Sequence, residues 1–432
     1  MRKISKFLMV GAIGLAVGVN AMAQTNQNNS EETVRLNNLA HHFLSEINPL
    51  ILKQYQMGTL TERADVTVSI NAGTSRELYD NYFYKKMGLC AVQVNFNENG
   101  DIPHLGVDGV INNLTVTKNP TQAKMARQFL ALHEHNHCEF FNFKDPVIFF
   151  REQQKHTYVI SGLKDLSKIN MASSYMDTVN ESYADVSASI ALLIEYGINN
   201  QDAHQVLDAI KTQRQDNYIQ KKMDAHFSHY AMEELLHPIN LKRLSNFTQA
   251  YEVRDFALEL ANKGAAKTFY AKPQMKDATF HEKSLFASVT AEVGILEVSN
   301  RTPDKRLPVG YETLHKYNQV NLVTDLAKRV ASEPEIQAKF RTVDNLAENI
   351  EPTLEYVYNF MNKHAYKYKA EVELYKQTMI ELNAHIQYSV KNNIVQTSFV
   401  NEDYSANSIS NNVLKLRKNY IAKNNININK PL

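Results

Sequence analysis

Apolar residues recur at helical spacing over residues 31–56, where Leu36, Leu39, Phe43, Ile47 and Leu50 share a stripe. The period then changes. Val66, Val68 and Ile70 alternate with polar neighbours, as do Cys90, Val92, Val94 and Phe96, ahead of the turn signal Asn97-Glu98-Asn99-Gly100. A period of two predicts strands. Residues 110–116 form a third, less regular extended candidate. Asn119-Pro120-Thr121 punctuates the chain, and a helix is expected from there to about Phe140. Residues 145–174 are mixed and read as loops with short elements. A strongly apolar helix is expected over 178–196, stopped by Gly197. Helices follow over 201–213 and 217–236, the second ended by Pro238. Beyond about Asn240 helical patterns continue, for example over 334–339 and 353–387, with few strand signals and no internal repeat. From Asn392 onward Asn and Ser dominate and apolar density falls, which predicts a loosely ordered tail. The fold class expected is α+β, mostly α, with a small N-terminal sheet ahead of a helical C-terminal region.

The chain has 432 residues, enough for two or three domains. The expected organisation is a leader at 1–23, an N-terminal helical segment at 24–60, a domain carrying the chemistry at 61–245, a helical domain at 246–395 and an Asn-rich tail at 396–432. An apolar share of 44% and a charged share of 22% are those of an ordinary globular protein. A net charge of +1 gives no electrostatic case for nucleic acid or an anionic membrane as partner. Arg2, Lys3 and Lys6 precede an apolar run over 7–19, and Ala21-Met22-Ala23 supplies the small residues a signal peptidase requires. That run is shorter than the about 20 residues of a spanning helix. The mature chain is therefore expected in the periplasm or outside the cell. Its two cysteines, Cys90 and Cys138, either pair across a long loop in such a compartment or stay as buried thiols.

Residues 133–137 read His-Glu-His-Asn-His. On a helix, His133 and His137 lie one turn apart on one face, so both imidazoles can reach a single Zn²⁺. Glu134, beside the first His, can take a proton from the attacking water and later return it. The preceding Ala-Lys-Met-Ala-Arg-Gln-Phe-Leu-Ala-Leu is built of good helix formers, and Ala126 and Leu130 continue the His133 and His137 stripe. A strand would instead align His133, His135 and His137. Downstream, Asn180-Glu181-Ser182-Tyr183-Ala184-Asp185 opens a strongly apolar helix, where an i, i+4 carboxylate pair is costly without partners. Glu181 as third ligand, with Asp185 bonded to the far nitrogen of a ligand His, satisfies both. The alternative puts both acids on an exposed first turn, favoured by the helix dipole. Phe140 and Phe143 stand where an extended metzincin motif has Gly and His, which excludes that subclass.

His133-Glu134-x-x-His137 followed by Asn180-Glu181-x-x-x-Asp185 resembles the gluzincins, the thermolysin-like zinc peptidases. The resemblance implies one Zn²⁺ per chain on His133, His137 and Glu181, Glu134 as general base, and Asp185 orienting His133. It implies a zincin-like catalytic domain whose sheet lines the substrate cleft, and a peptide or protein as substrate. Many gluzincins add a His or Tyr that stabilises the oxyanion. Within Asp224-Ala225-His226-Phe227-Ser228-His229-Tyr230, His226 is the first choice, with His229 and Tyr230 as alternatives. The resulting expectation is an exported zinc peptidase. Two rivals stand beside it: an exported helical binding or assembly protein whose motif is accidental or holds zinc without turnover, and a zinc hydrolase of non-peptide amides.

Overall fold

The structure is a computed structural model. It describes residues 29–60, 65–71, 82–86, 89–97, 119–142, 163, 165–221, 226–248, 250–299, 307–343 and 345–392. The expected leader at 1–23, the extended stretch at 110–116 and the tail at 396–432 lie outside the described residues, as does most of 145–164.

Helix α1 (Asn29–Met57) precedes strands β1 (Asp65–Asn71), β2 (Tyr82–Lys86) and β3 (Leu89–Asn97). Next come α2 (Pro120–Asn142), α3 (Leu166–Ser173), α4 (Tyr175–Tyr196) and α5 (Gln201–Lys221). They are followed by α6 (His229–Leu236), α7 (Pro238–Ser245), α8 (Ala250–Tyr270), α9 (Pro273–Lys276) and α10 (Phe280–Ser299). The described chain closes with α11 (Leu307–Val330), α12 (Pro334–Phe340), α13 (Ile350–Lys363) and α14 (Ala365–Asn392). The molecule is thus mostly helical, with one small sheet near its N-terminus. No helix among the described residues is long and apolar enough to cross a membrane.

The sheet has the order β1-β3-β2, with β1 parallel and β2 antiparallel to β3. Val66 and Val68 register with Val92 and Val94, and the alternating Cys90, Val92 and Val94 are buried. That alternation is what the period-two pattern requires of a strand with a core-facing side. β1 packs on α1 and β3 on α2. The Cys90–Cys138 disulfide ties β3 to α2 directly after His137, so the two cysteines pair. Strand β2 was not legible in the alternation: its apolar run, Tyr82-Phe83-Tyr84, is only three residues long.

Several element ends differ from the sequence expectation. Helix α5 runs unbroken through Lys221, and the next helix starts only at His229. Helix α6 ends at Leu236, with His237 extended ahead of Pro238 as expected, and the same proline opens α7, where the His237 side chain accepts from the Ile239 N–H. Proline suits a first turn because its missing N–H has no partner there to lose. The stretch over 353–387 is two helices, parted at His364 by a backbone with φ −112° and ψ 38°.

Two apolar cores organise the helices. The first joins α1, the sheet, α2 through α9 and Leu382 of α14. The second draws on α11 to α14. Helix α10 serves both: Leu285, Phe286 and Val289 belong to the first, Phe280 and Ala287 to the second. Helix α1 is integral to the first core, where Ala40, Phe43, Leu44, Ile47, Leu50 and Ile51 are buried. Its Glu46 also grips Arg127 of α2 with two bonds of 2.7 and 2.8 Å.

Candidate metal centre

The site forms where α2 packs against α4. Asn119 caps α2 by accepting from the Thr121 and Gln122 N–H groups, and Pro120 takes the first helical position. The helix is continuous through His133, Glu134, His135, Asn136 and His137, which excludes the strand alternative for the histidines. Every residue from Gln128 to Phe140 is buried. A run of that polarity inside a core demands partners.

The partners come from α4. His133 Nε2 and His137 Nε2 lie 3.2 Å apart. Glu181 Oε2 stands 3.4 Å from the first and 3.7 Å from the second. Donors at about 2.0–2.1 Å from a tetrahedral ion are separated by about 3.3–3.4 Å. The three observed edges lie within about 0.3 Å of that spacing, so this buried group could hold a metal ion. Glu181 Oε2 makes no well-directed hydrogen bond despite its burial, as expected of an oxygen aimed at a shared centre.

Each imidazole is held from behind. His133 Nδ1 lies 2.7 Å from Asp185 Oδ1. His137 Nδ1 lies 3.1 Å from Asn180 Oδ1. An oxygen beside each Nδ1 favours a proton on that nitrogen, so a metal that displaced the Nε2 proton would meet the Nε2 lone pair. Asp185 is only 1% exposed. It takes two bonds from Arg214, of 2.7 and 2.8 Å, and one from the Ser228 hydroxyl. Both acids are thus inside the protein rather than on an exposed first turn.

The two carboxylates stay charged here, and one of the two imidazoles carries the balancing proton. At His133 burial opposes charge, but the Asp185 and Glu181 carboxylates, with Glu134 beside them, outweigh it and push its pKa up to about 10. At His137 burial prevails over the attraction of Glu181, the charge on His133 adds to it, and the pKa falls to about 4. Burial also works against charge on Glu181 and Asp185. For Glu181 the neighbouring histidines win, and for Asp185 Arg214 and His133 win, so both carboxyls are held well below the usual range.

The segment His226 to Ser228 reaches the site twice. His226, with a side chain 32% exposed, sets Nδ1 3.0 Å from Glu181 Oε2. Two residues later Ser228 reaches Asp185. The alternatives face elsewhere: His229 Nδ1 meets the Lys211 carbonyl at 3.1 Å, and Tyr230 lies under Lys267 Nζ at 4.4 Å. His135 is fully buried and outside the His133, His137, Glu181 cluster. Sequence reasoning gave no role to Arg214, Ser228 or Asn180. Only Asn180 carried a signal, as the neighbour of Glu181. Compared with protein-family models, curated proteins and solved structures, the chain matches none.

Proposed function

We propose that the protein is an exported, zinc-dependent peptidase of gluzincin type, with His133, His137 and Glu181 as zinc ligands. The observation that carries this reading is the match between the three donor separations and a tetrahedral ion. Two nitrogens, each on a ring with an oxygen beside its Nδ1, and one carboxylate suit zinc in a site that keeps a position open for reaction. The leader-like N-terminus and the Cys90–Cys138 disulfide support a periplasmic or secreted location.

When bound, Zn²⁺ supplies Lewis acidity that polarises the scissile carbonyl and acidifies the attacking water. The side chains do the rest. Glu134 accepts the water's proton and passes it to the departing amine. Asp185, fixed by Arg214 and Ser228, holds the His133 ring, and Asn180 holds that of His137. His226 is partly exposed beside Glu181 and is the group placed to donate to the oxyanion.

The test is Glu134→Gln, assayed on casein or a peptide library. Zinc content should stay near one ion per chain while hydrolysis falls by about 10²–10⁴-fold. Near-wild-type activity in that variant would falsify the mechanism. Bound zinc with no amide cleavage by the wild-type protein would instead point to an exported binding protein.

A further inference from the structure

The helical C-terminal part contains a groove with its own chemistry. It lies where α11, α13 and α14 meet and has a volume of about 490 Å³, within the roughly 300–1,000 Å³ of binding pockets. Glu351 and Glu355 of α13 both line it, one helical turn apart and both exposed. Neither forms an ion pair with a described residue. Like charges at i, i+4 repel, so keeping them together costs the helix a few tenths of a kcal/mol. Glu351 stands in the first turn of α13, where the helix dipole favours an acid, whereas Glu355 lies one turn further in.

Two further features face the same space. Tyr358 and Tyr375 stack across the helix pair, with ring centroids 4.2 Å apart and planes 19° from parallel, presenting an aromatic surface at the groove. Gln319 of α11 lines the groove although it is only 3% exposed, and its amide makes no hydrogen bond to another described residue. That amide is not sealed away from the groove, so it is open to bond a ligand there. Leu354 and Met379 complete the wall with apolar surface.

We infer that this groove docks an arginine-bearing segment of a polypeptide. The guanidinium plane lies on the tyrosine face, which attracts cations. Its N–H donors reach Glu351, Glu355 and the Gln319 carbonyl, and the planar fork suits paired carboxylates better than a lysine does. The three-carbon stem rests on Leu354 and Met379. The groove belongs to the helices of the second core, whereas the metal centre lies in the first, so docking and hydrolysis are separable.

The probe is a fluorescein-labelled arginine-rich peptide in a Gly/Ser background, titrated against the full mature chain by anisotropy. Its counterpart carries citrulline in place of arginine, equal in shape and uncharged. The arginine peptide should bind saturably, weaken with salt, and exceed the citrulline peptide. The double variant Glu351→Gln, Glu355→Gln should lose about 10-fold in affinity. Its melting temperature should stay near that of the wild type, because both side chains are exposed and the relief of their repulsion offsets the lost first-turn charge of Glu351. Tyr375→Leu should weaken binding by about 2–5-fold. His133→Ala should bind the peptide as the wild type does, so failure of the zinc reading leaves this result standing. Equal affinity for the citrulline peptide, an unchanged affinity in the double Gln variant, or free arginine binding as tightly as the peptide would each overturn the inference.

Discussion

Asp185 is the residue on which the candidate metal centre turns. It joins His133 Nδ1, Arg214 and Ser228 inside the core. Asp185→Asn should lower zinc affinity by about 10–100-fold, the usual effect of removing a ligand's outer partner. It should also cost about 3–5 kcal/mol of stability, because it leaves the Arg214 cation buried beside a neutral amide. Adding Arg214→Met should recover much of that stability and none of the zinc affinity. Chelator competition and urea titration measure the two effects separately, and recovery of both together would contradict this division of roles. The carboxylate was legible in the sequence through its i+4 spacing from Glu181. Arg214 was not, because a lone Arg in Thr-Gln-Arg-Gln gives no sign of what it faces. A second residue gives a pH test away from the metal. His281 is 7% exposed, and its Nδ1 has no hydrogen-bond partner. Burial, with Lys328 adding to it, pulls its pKa from 6.5 to about 4. The unfolded chain therefore binds this proton at a pH where the folded chain does not, and stability falls as pH drops from 6.5 towards about 4. The loss amounts to roughly 3 kcal/mol at most. His281→Leu should flatten that part of the acid limb in urea titrations; parallel limbs for variant and wild type would contradict the assignment.

Among the elements, the helices with clean apolar stripes were the most legible. α1, α2 and α4 sit close to their expected positions because burial of one face dictates a period of 3.6. Boundaries between helices were less legible. The break at His364 carries neither glycine nor proline, so no local punctuation announces it. At Pro238 the punctuation was real, but a proline that stops one helix equally well starts the next. Packing between elements leaves no local trace at all. Gly264 of α8 lies against α6 so closely that an added Cβ would sit 2.4 Å from the Ala231 nitrogen. In the sequence Gly264 is merely a poor helix former between Lys and Ala. Gly264→Ala should raise intrinsic helix propensity yet lower stability by about 1–3 kcal/mol, since backbone must move to admit the methyl group. A gain in melting temperature would show that α6 and α8 separate to admit a methyl group without loss of packing.

At the scale of the whole molecule, the chain divides its work between two cores bridged by α10. The first places a rigid pair of helices, α2 and α4, so that side chains more than forty positions apart converge. The Cys90–Cys138 disulfide fastens that pair to the sheet beside a ligand. Such pairing could not be deduced from sequence, because two cysteines in one chain need not meet. The convergence of His133, His137 and Glu181 was legible only because helical spacing and the cost of buried charge constrain few residue types so strongly. The second core bears the groove of Glu351, Glu355 and the stacked tyrosines, which no spacing rule identifies. The proposed hydrolysis depends on one ion at the α2–α4 contact. The most direct test is an anomalous difference map collected at the zinc edge from crystals of the purified protein. The account predicts a single strong peak about 2.0–2.2 Å from His133 Nε2, His137 Nε2 and a Glu181 carboxylate oxygen. No peak there after zinc loading, or a peak held by other residues, would contradict it.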